Sequence, residues 1–146
     1  MRKVSLLIII FFLTVTVSSC TSSGDAADLY IETGKYSMLM YDRSGEKIAE
    51  GMVDMKNITG KNMSGTYVIT ELTVPNPLLS LNETKDMTGT LSEDKKQVFI
   101  NANPRISDSN IFLTITAGMY SYFGKWRYST YVGTVDEGTV RATKIE

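Results

Sequence analysis

The sequence predicts an all-β protein, an antiparallel up-and-down meander of about eight strands. Three observations carry this expectation. Short runs rich in Tyr, Val, Ile, Thr and Met recur from about residue 34 onward, and clusters of turn-forming residues separate them. No stretch sustains the 3.6-residue apolar spacing that an amphipathic helix needs.

The first strand is expected at 35–42 (KYSMLMYD), turning through Arg43-Ser44-Gly45-Glu46 into a second at 47–56. After NITGKN a third runs over 63–73. The connection VPNPLLSLNETK follows, in which Pro75 and Pro77 lack the N–H that a ladder uses and so argue against a central strand. A fourth strand at 86–92 turns through EDKK into a fifth at 97–102, and NPRISDSN leads to a sixth at 111–119. The seventh, at 125–132, turns through Val135-Asp136-Glu137-Gly138 into the eighth, at 139–145.

Short loops imply that each strand pairs with the one before it. Eight such strands suit a closed barrel, which has no exposed edge and an interior just wide enough to fill with side chains or to hold one small ligand. An open sandwich of the same strands is the competing layout. Gly-Thr recurs at Gly65, Gly89, Gly133 and Gly138, and glycine inside a strand marks the bulges and bends that a curved sheet needs.

The N-terminus reads differently. Arg2 and Lys3 precede the apolar run of residues 4–13, and TVTVSS then leads to Cys20, the layout of a secretory signal peptide. The apolar run is about half the roughly 20 residues that a membrane-spanning helix requires. Cys20 is the chain's single cysteine, so it has no internal disulfide partner, and with no His in the chain it lacks the usual activating base of a catalytic thiol. Val17-Ser18-Ser19-Cys20 resembles the bacterial lipobox, an aliphatic residue and two small ones before cysteine. That resemblance implies a diacylglycerol on the Cys20 sulfur, cleavage of the leader just before it and acylation of the new amine, with palmitate among the chains. Thr21 stands where Asp would imply retention at the inner membrane, so the resemblance implies the outer membrane of a bacterial cell envelope. The expected organisation is a lipoprotein signal peptide at 1–19, a lipidated flexible tether at 20–33 and a barrel domain at 34–146.

Loss of Arg2 and Lys3 with the leader takes Lys plus Arg from 15 to 13, against 16 Asp plus Glu, for a formal charge of −3. A mildly acidic chain without a clustered basic face is not expected to bind nucleic acid. Nor is it expected to be an enzyme: Ser and Thr are plentiful, but without His a nucleophile would need Lys or a carboxylate as its base, and no recognisable spacing supplies one. No metal and no cofactor are expected. The acidic pairs Glu93-Asp94 and Asp136-Glu137 read as solvated turn residues, and Lys95 and Lys96 beside the first pair oppose a cation. The Asn-x-Ser/Thr triplets at Asn57, Asn62 and Asn82 are incidental in a bacterial lipoprotein.

Gly34-Lys35-Tyr36 on the first strand, with Arg141 on the last, is similar to the lipocalin and calycin barrels, in which a Gly-x-Trp on strand one packs beneath a late cation. Tyr replaces Trp here, and Gly124-Lys125-Trp126 carries the Gly-x-Trp pattern on the seventh strand instead; avidin-like barrels fit about as well. Either resemblance implies a barrel that binds a small molecule.

Residues 119–131 hold Tyr120, Tyr122, Phe123, Trp126, Tyr128 and Tyr131. Strand alternation puts Trp126, Tyr128, Thr130 and Val132 on one face. With that face inward, Trp126 and Tyr128 join Tyr36, Met38 and Met40 of strand one and Tyr67 and Ile69 of strand three. Three uses follow. The aromatics could fill a packed core. They could line a pocket for a small apolar or amphipathic ligand, with Tyr36, Tyr67, Trp126 and Tyr128 as its contacts. Or Tyr120, Tyr122, Phe123 and Tyr131 could face outward as an anchor patch for an envelope protein, as in a hydrolase inhibitor or an accessory subunit. The expected function is non-catalytic ligand binding at the membrane, with the interaction module as the alternative.

Overall fold

The computed structural model of the chain describes residues 29–73, 79–119 and 121–145. The leader, Cys20, the first part of the tether, Pro75, Pro77 and Tyr120 lie outside the described residues.

Eight strands follow one another: β1 (Gly34–Tyr41), β2 (Lys47–Thr59), β3 (Asn62–Leu72), β4 (Lys85–Leu91), β5 (Gln97–Asn101), β6 (Ser109–Ala117), β7 (Tyr122–Thr130) and β8 (Gly133–Lys144). Each pairs antiparallel with the next, and β8 returns to pair with β1, so the sheet is a closed barrel rather than a sandwich. The seam is in register from Tyr36 opposite Lys144 to Tyr41 opposite Thr139.

Side-chain alternation builds the interior. In β1, Tyr36, Met38 and Met40 are buried while Lys35 and Ser37 are exposed; in β6, Ile111, Leu113 and Ile115 are buried. The sheet curves through register shifts at Met40/Tyr41, Glu50/Gly51, Met55/Asn57 and Tyr128/Ser129, since an extra residue on one strand bends it and increases its twist.

Two expected turns fall elsewhere. The seventh connection is not Val135-Asp136-Glu137-Gly138, which lies inside β8, but the two residues Tyr131 and Val132 between Thr130 and Gly133. Gly133, at φ +114°, takes the backbone conformation that the reversal needs and that a side chain would resist. The other is narrower than expected: β2 runs on to Thr59, so the turn within NITGKN is only Gly60-Lys61.

Residues 29–33, read from sequence as the end of the tether, cross one end of the barrel. Ile31 is buried, and its N–H donates to the Lys95 carbonyl at 2.9 Å. An apolar residue gains by leaving water, so the packed domain begins a few residues before β1. We call this end, which also carries the β2–β3, β4–β5 and β6–β7 turns, the strap end. The opposite, loop end carries the β1–β2 and β7–β8 turns and the longer connections after β3 and β5.

Candidate functional site

The interior at the centre of the barrel leaves a cavity of about 20 Å³, and every residue around it except Tyr67 is aliphatic or methionine. Met38 and Met40 of β1, Met55 of β2 and Met87 of β4 supply much of the wall, and Leu79, from the connection between β3 and β4, lies against it at the loop end. That volume is about one water-sized probe, and with no polar atom presented to it such a void stays dry. The interior is therefore packed, with one small apolar gap among side chains that have several rotatable bonds each.

Of the four aromatic residues expected to line a pocket, only Tyr67 borders this cavity. It is half-buried, and its hydroxyl has no hydrogen-bond partner among the described residues. Burial, followed by the nearby Glu83 carboxylate, pushes its pKa up to about 12, so the hydroxyl stays a neutral donor.

Tyr36 and Trp126 are buried, but at opposite ends and away from the cavity. The Tyr36 hydroxyl donates to the Glu32 carbonyl at 2.8 Å and lies 3.3 Å from the Tyr122 hydroxyl. The two rings meet at 5.0 Å between centroids. Tyr122 in turn donates to the Tyr30 carbonyl at 2.8 Å and accepts from the Glu32 N–H at 3.2 Å. These hydroxyls fasten residues 30–32 across the strap end. Burial and the contact with Tyr122 hold the Tyr36 pKa well above the usual phenol value.

At the loop end, the Trp126 indole N–H donates to the Tyr41 carbonyl at 2.8 Å. To reach β1 from β7 the indole passes β8 at Gly138, where a Cβ would collide with the Tyr41 carbonyl and stand 2.7 Å from Trp126 Nε1. Both ends therefore use the same device: an aromatic side chain of β7 reaches past β8 to β1 and clamps the seam that closes the barrel. Tyr128 is half-buried, and its hydroxyl meets Ser109 Oγ at 2.9 Å; it does not border the cavity.

The outward-facing set divides as well. Tyr122, expected outside in the anchor-patch reading, is buried because β7 begins at Tyr122 rather than Lys125, which places 122, 124 and 126 on the inner face. Phe123 and Tyr131 are exposed, at 54% and 87%, and Val132 beside Tyr131 is 75% exposed. Leu79 and Ile31 were not singled out from sequence. Each sits in a short apolar run, Leu29-Tyr30-Ile31 and Leu78-Leu79, that is too brief to show a periodicity.

Two outer grooves flank these features. One of about 560 Å³ at the loop end runs between Asp42, Arg43, Phe112, Arg127 and Glu137. The other, of about 210 Å³ at the strap end, lies between Tyr30, Glu32, Met119 and Lys144.

No family model and no curated protein matches the chain. A solved structure, that of EF1p2_mFAP2b bound to DFHBI, is similar to it with a TM-score of 0.49 at 10% identity, over 78% of this chain and 93% of that one.

Proposed function

We propose that the chain is a lipid-anchored protein of the bacterial envelope, attached through Cys20, that binds a small apolar or amphipathic molecule inside its barrel without catalysis. The observation that carries this reading is the gap lined by Met38, Met40, Met55 and Met87 and closed at the loop end by Leu79, a residue of a connection rather than of the sheet. An unbranched thioether side chain repacks around an irregular guest at low cost. A ligand enters as the Leu79 side chain swings aside and the methionines change rotamer, and the gap expands to the size of the guest. Tyr67 then offers its neutral hydroxyl to a polar group at one end of the ligand.

Extraction of the mature chain from its own envelope, followed by native mass spectrometry, tests this reading. A bound species of defined small mass supports it, and Tyr67→Phe is expected to weaken retention of an amphipathic guest several-fold. A chain bearing only the lipid on Cys20 contradicts ligand binding, and an unlipidated chain contradicts the anchor.

A second reading, a protein-interaction module, is favoured by the β7–β8 tip. Tyr131 and Val132 project side by side into solvent, and tyrosine is enriched among residues that dominate protein interfaces.

A further inference from the structure

Formal charge is distributed unevenly along the barrel. Lys35, Lys56, Lys61, Lys95, Lys96, Arg141 and Lys144 lie toward the strap end, where the neighbouring acids are Glu32, Asp54, Glu93 and Asp94. Toward the loop end the balance reverses: Asp42, Glu46, Glu50, Glu71, Glu83, Asp86, Asp108, Asp136 and Glu137 stand against Arg43, Lys47, Lys85, Arg105 and Arg127. At the strap end, ion pairs at 2.7 Å join Lys61 to Glu93 and Lys144 to Glu32, whereas Lys95 and Arg141 have no carboxylate partner among the described residues.

The same end exposes apolar side chains. Met119 is 67% and Phe123 54% exposed, and Tyr30 shares the strap-end groove with Met119. The chain enters the barrel here too, at Leu29, nine residues after Cys20. Nine residues reach at most about 30 Å even when fully extended, so a membrane attachment at Cys20 holds this end the nearer to the bilayer.

We propose that the strap end is a docking face for an anionic phospholipid surface. Met119 and Phe123 sit at the level of the headgroups, the lysines and Arg141 face lipid phosphates, and the acidic loop end with its mouth at Leu79 points away. This rests on the anchored reading given above. Cationic side chains near an anionic bilayer are attracted within about a Debye length, roughly 8 Å at physiological salt, while the acidic end is repelled. Orientation follows from the two effects together.

The test uses the full mature chain in phosphatidylcholine vesicles with and without phosphatidylglycerol. An environment-sensitive fluorophore is placed on Met119→Cys or on Val132→Cys, and intact mass reports the lipid on Cys20 separately. The expected result is a blue-shifted Met119 probe, shielded from an aqueous quencher at least several-fold more with phosphatidylglycerol than without, beside a Val132 probe that stays in water. Lys95→Glu with Lys96→Glu should remove most of that shielding. The proposal is overturned if the Val132 probe is the shielded one, if both stay in water, or if phosphatidylglycerol makes no difference. A Met119 probe shielded in native envelopes but not on vesicles also overturns it and assigns the face to a protein. An unlipidated mass refutes the anchor alone, since the probe contrast still reads which end meets the vesicle.

Discussion

The two ends of the barrel share a seam clamp from β7 to β1, but they are covered in different ways. At the strap end, Tyr36 and Tyr122 tie their hydroxyls to the backbone of residues 30–32, and Ile31 is buried beneath them. At the loop end, the Trp126 indole locks β7 to β1, and Leu79 meets the cavity with its side chain alone, from a connection whose Asn82 N–H donates to the Ile69 carbonyl of β3 at 2.7 Å. Directional hydrogen bonds hold one geometry, whereas apolar contact tolerates rearrangement. The comparison teaches that the backbone is fastened at both ends, and that what can rearrange over the cavity is the apolar Leu79 side chain.

The largest expected effect comes from the loop-end clamp. Trp126→Ala removes a buried indole and the bond to Tyr41, and should cost about 3–5 kcal/mol in a denaturant titration. A loss below about 1 kcal/mol would break the picture of Trp126 as a seam clamp. Leu79→Ala should cost less, about 2 kcal/mol, because a connection can settle toward the gap it leaves. It should also speed uptake of a small apolar probe, and slower uptake would contradict Leu79 as the cover. Tyr122→Phe removes the hydroxyl that meets the Glu32 N–H, the Tyr30 carbonyl and the Tyr36 hydroxyl, and should cost about 1–3 kcal/mol without changing uptake.

Alkaline pH sharpens the contrast further. Below about pH 10, Tyr36 is protonated in both the folded and unfolded states and contributes no pH dependence. Above that value the unfolded state releases the proton while the folded state keeps it, so stability falls as pH rises, by about 1.4 kcal/mol per pH unit. Tyr67 adds to this slope up to about pH 12. Tyr36→Phe should flatten the curve, and an unchanged slope would mean that the strap hydroxyls are not what titrates. The smallest effect is expected at Tyr131→Ser, within about 0.5 kcal/mol, since the side chain is exposed.

Much of this was legible in the chain. All eight expected strands are present in order, because period-2 burial writes itself directly into sequence, although β7 and β8 begin at Tyr122 and Gly133 rather than at Lys125 and Thr139. Tyr36, Met38, Met40, Ile69 and Trp126 are buried as alternation expects. What was not legible depends on tertiary contacts. Tyr122 shares the inward parity of Trp126 but lay outside the expected strand, because β7 starts three residues early, and the β7–β8 turn falls before Gly133 rather than at the more turn-like Asp136-Glu137-Gly138. Ile31, after Leu29 and Tyr30, and Leu79, after Leu78, belong to apolar runs too short to show a period, and only the assembled barrel gives them a surface to cover. The expected pocket dispersed for a related reason. Shared inwardness places Tyr36 and Trp126 inside the barrel, but their height along it puts one at each end.

The central claim is that the methionine-lined interior receives a small apolar molecule, and native mass spectrometry of the mature chain drawn from its own envelope tests it most directly. The account predicts a chain that carries lipid on Cys20 together with a second, dissociable species of small mass. A lipidated chain that is otherwise bare, and that stays bare when offered small apolar probes, would contradict it.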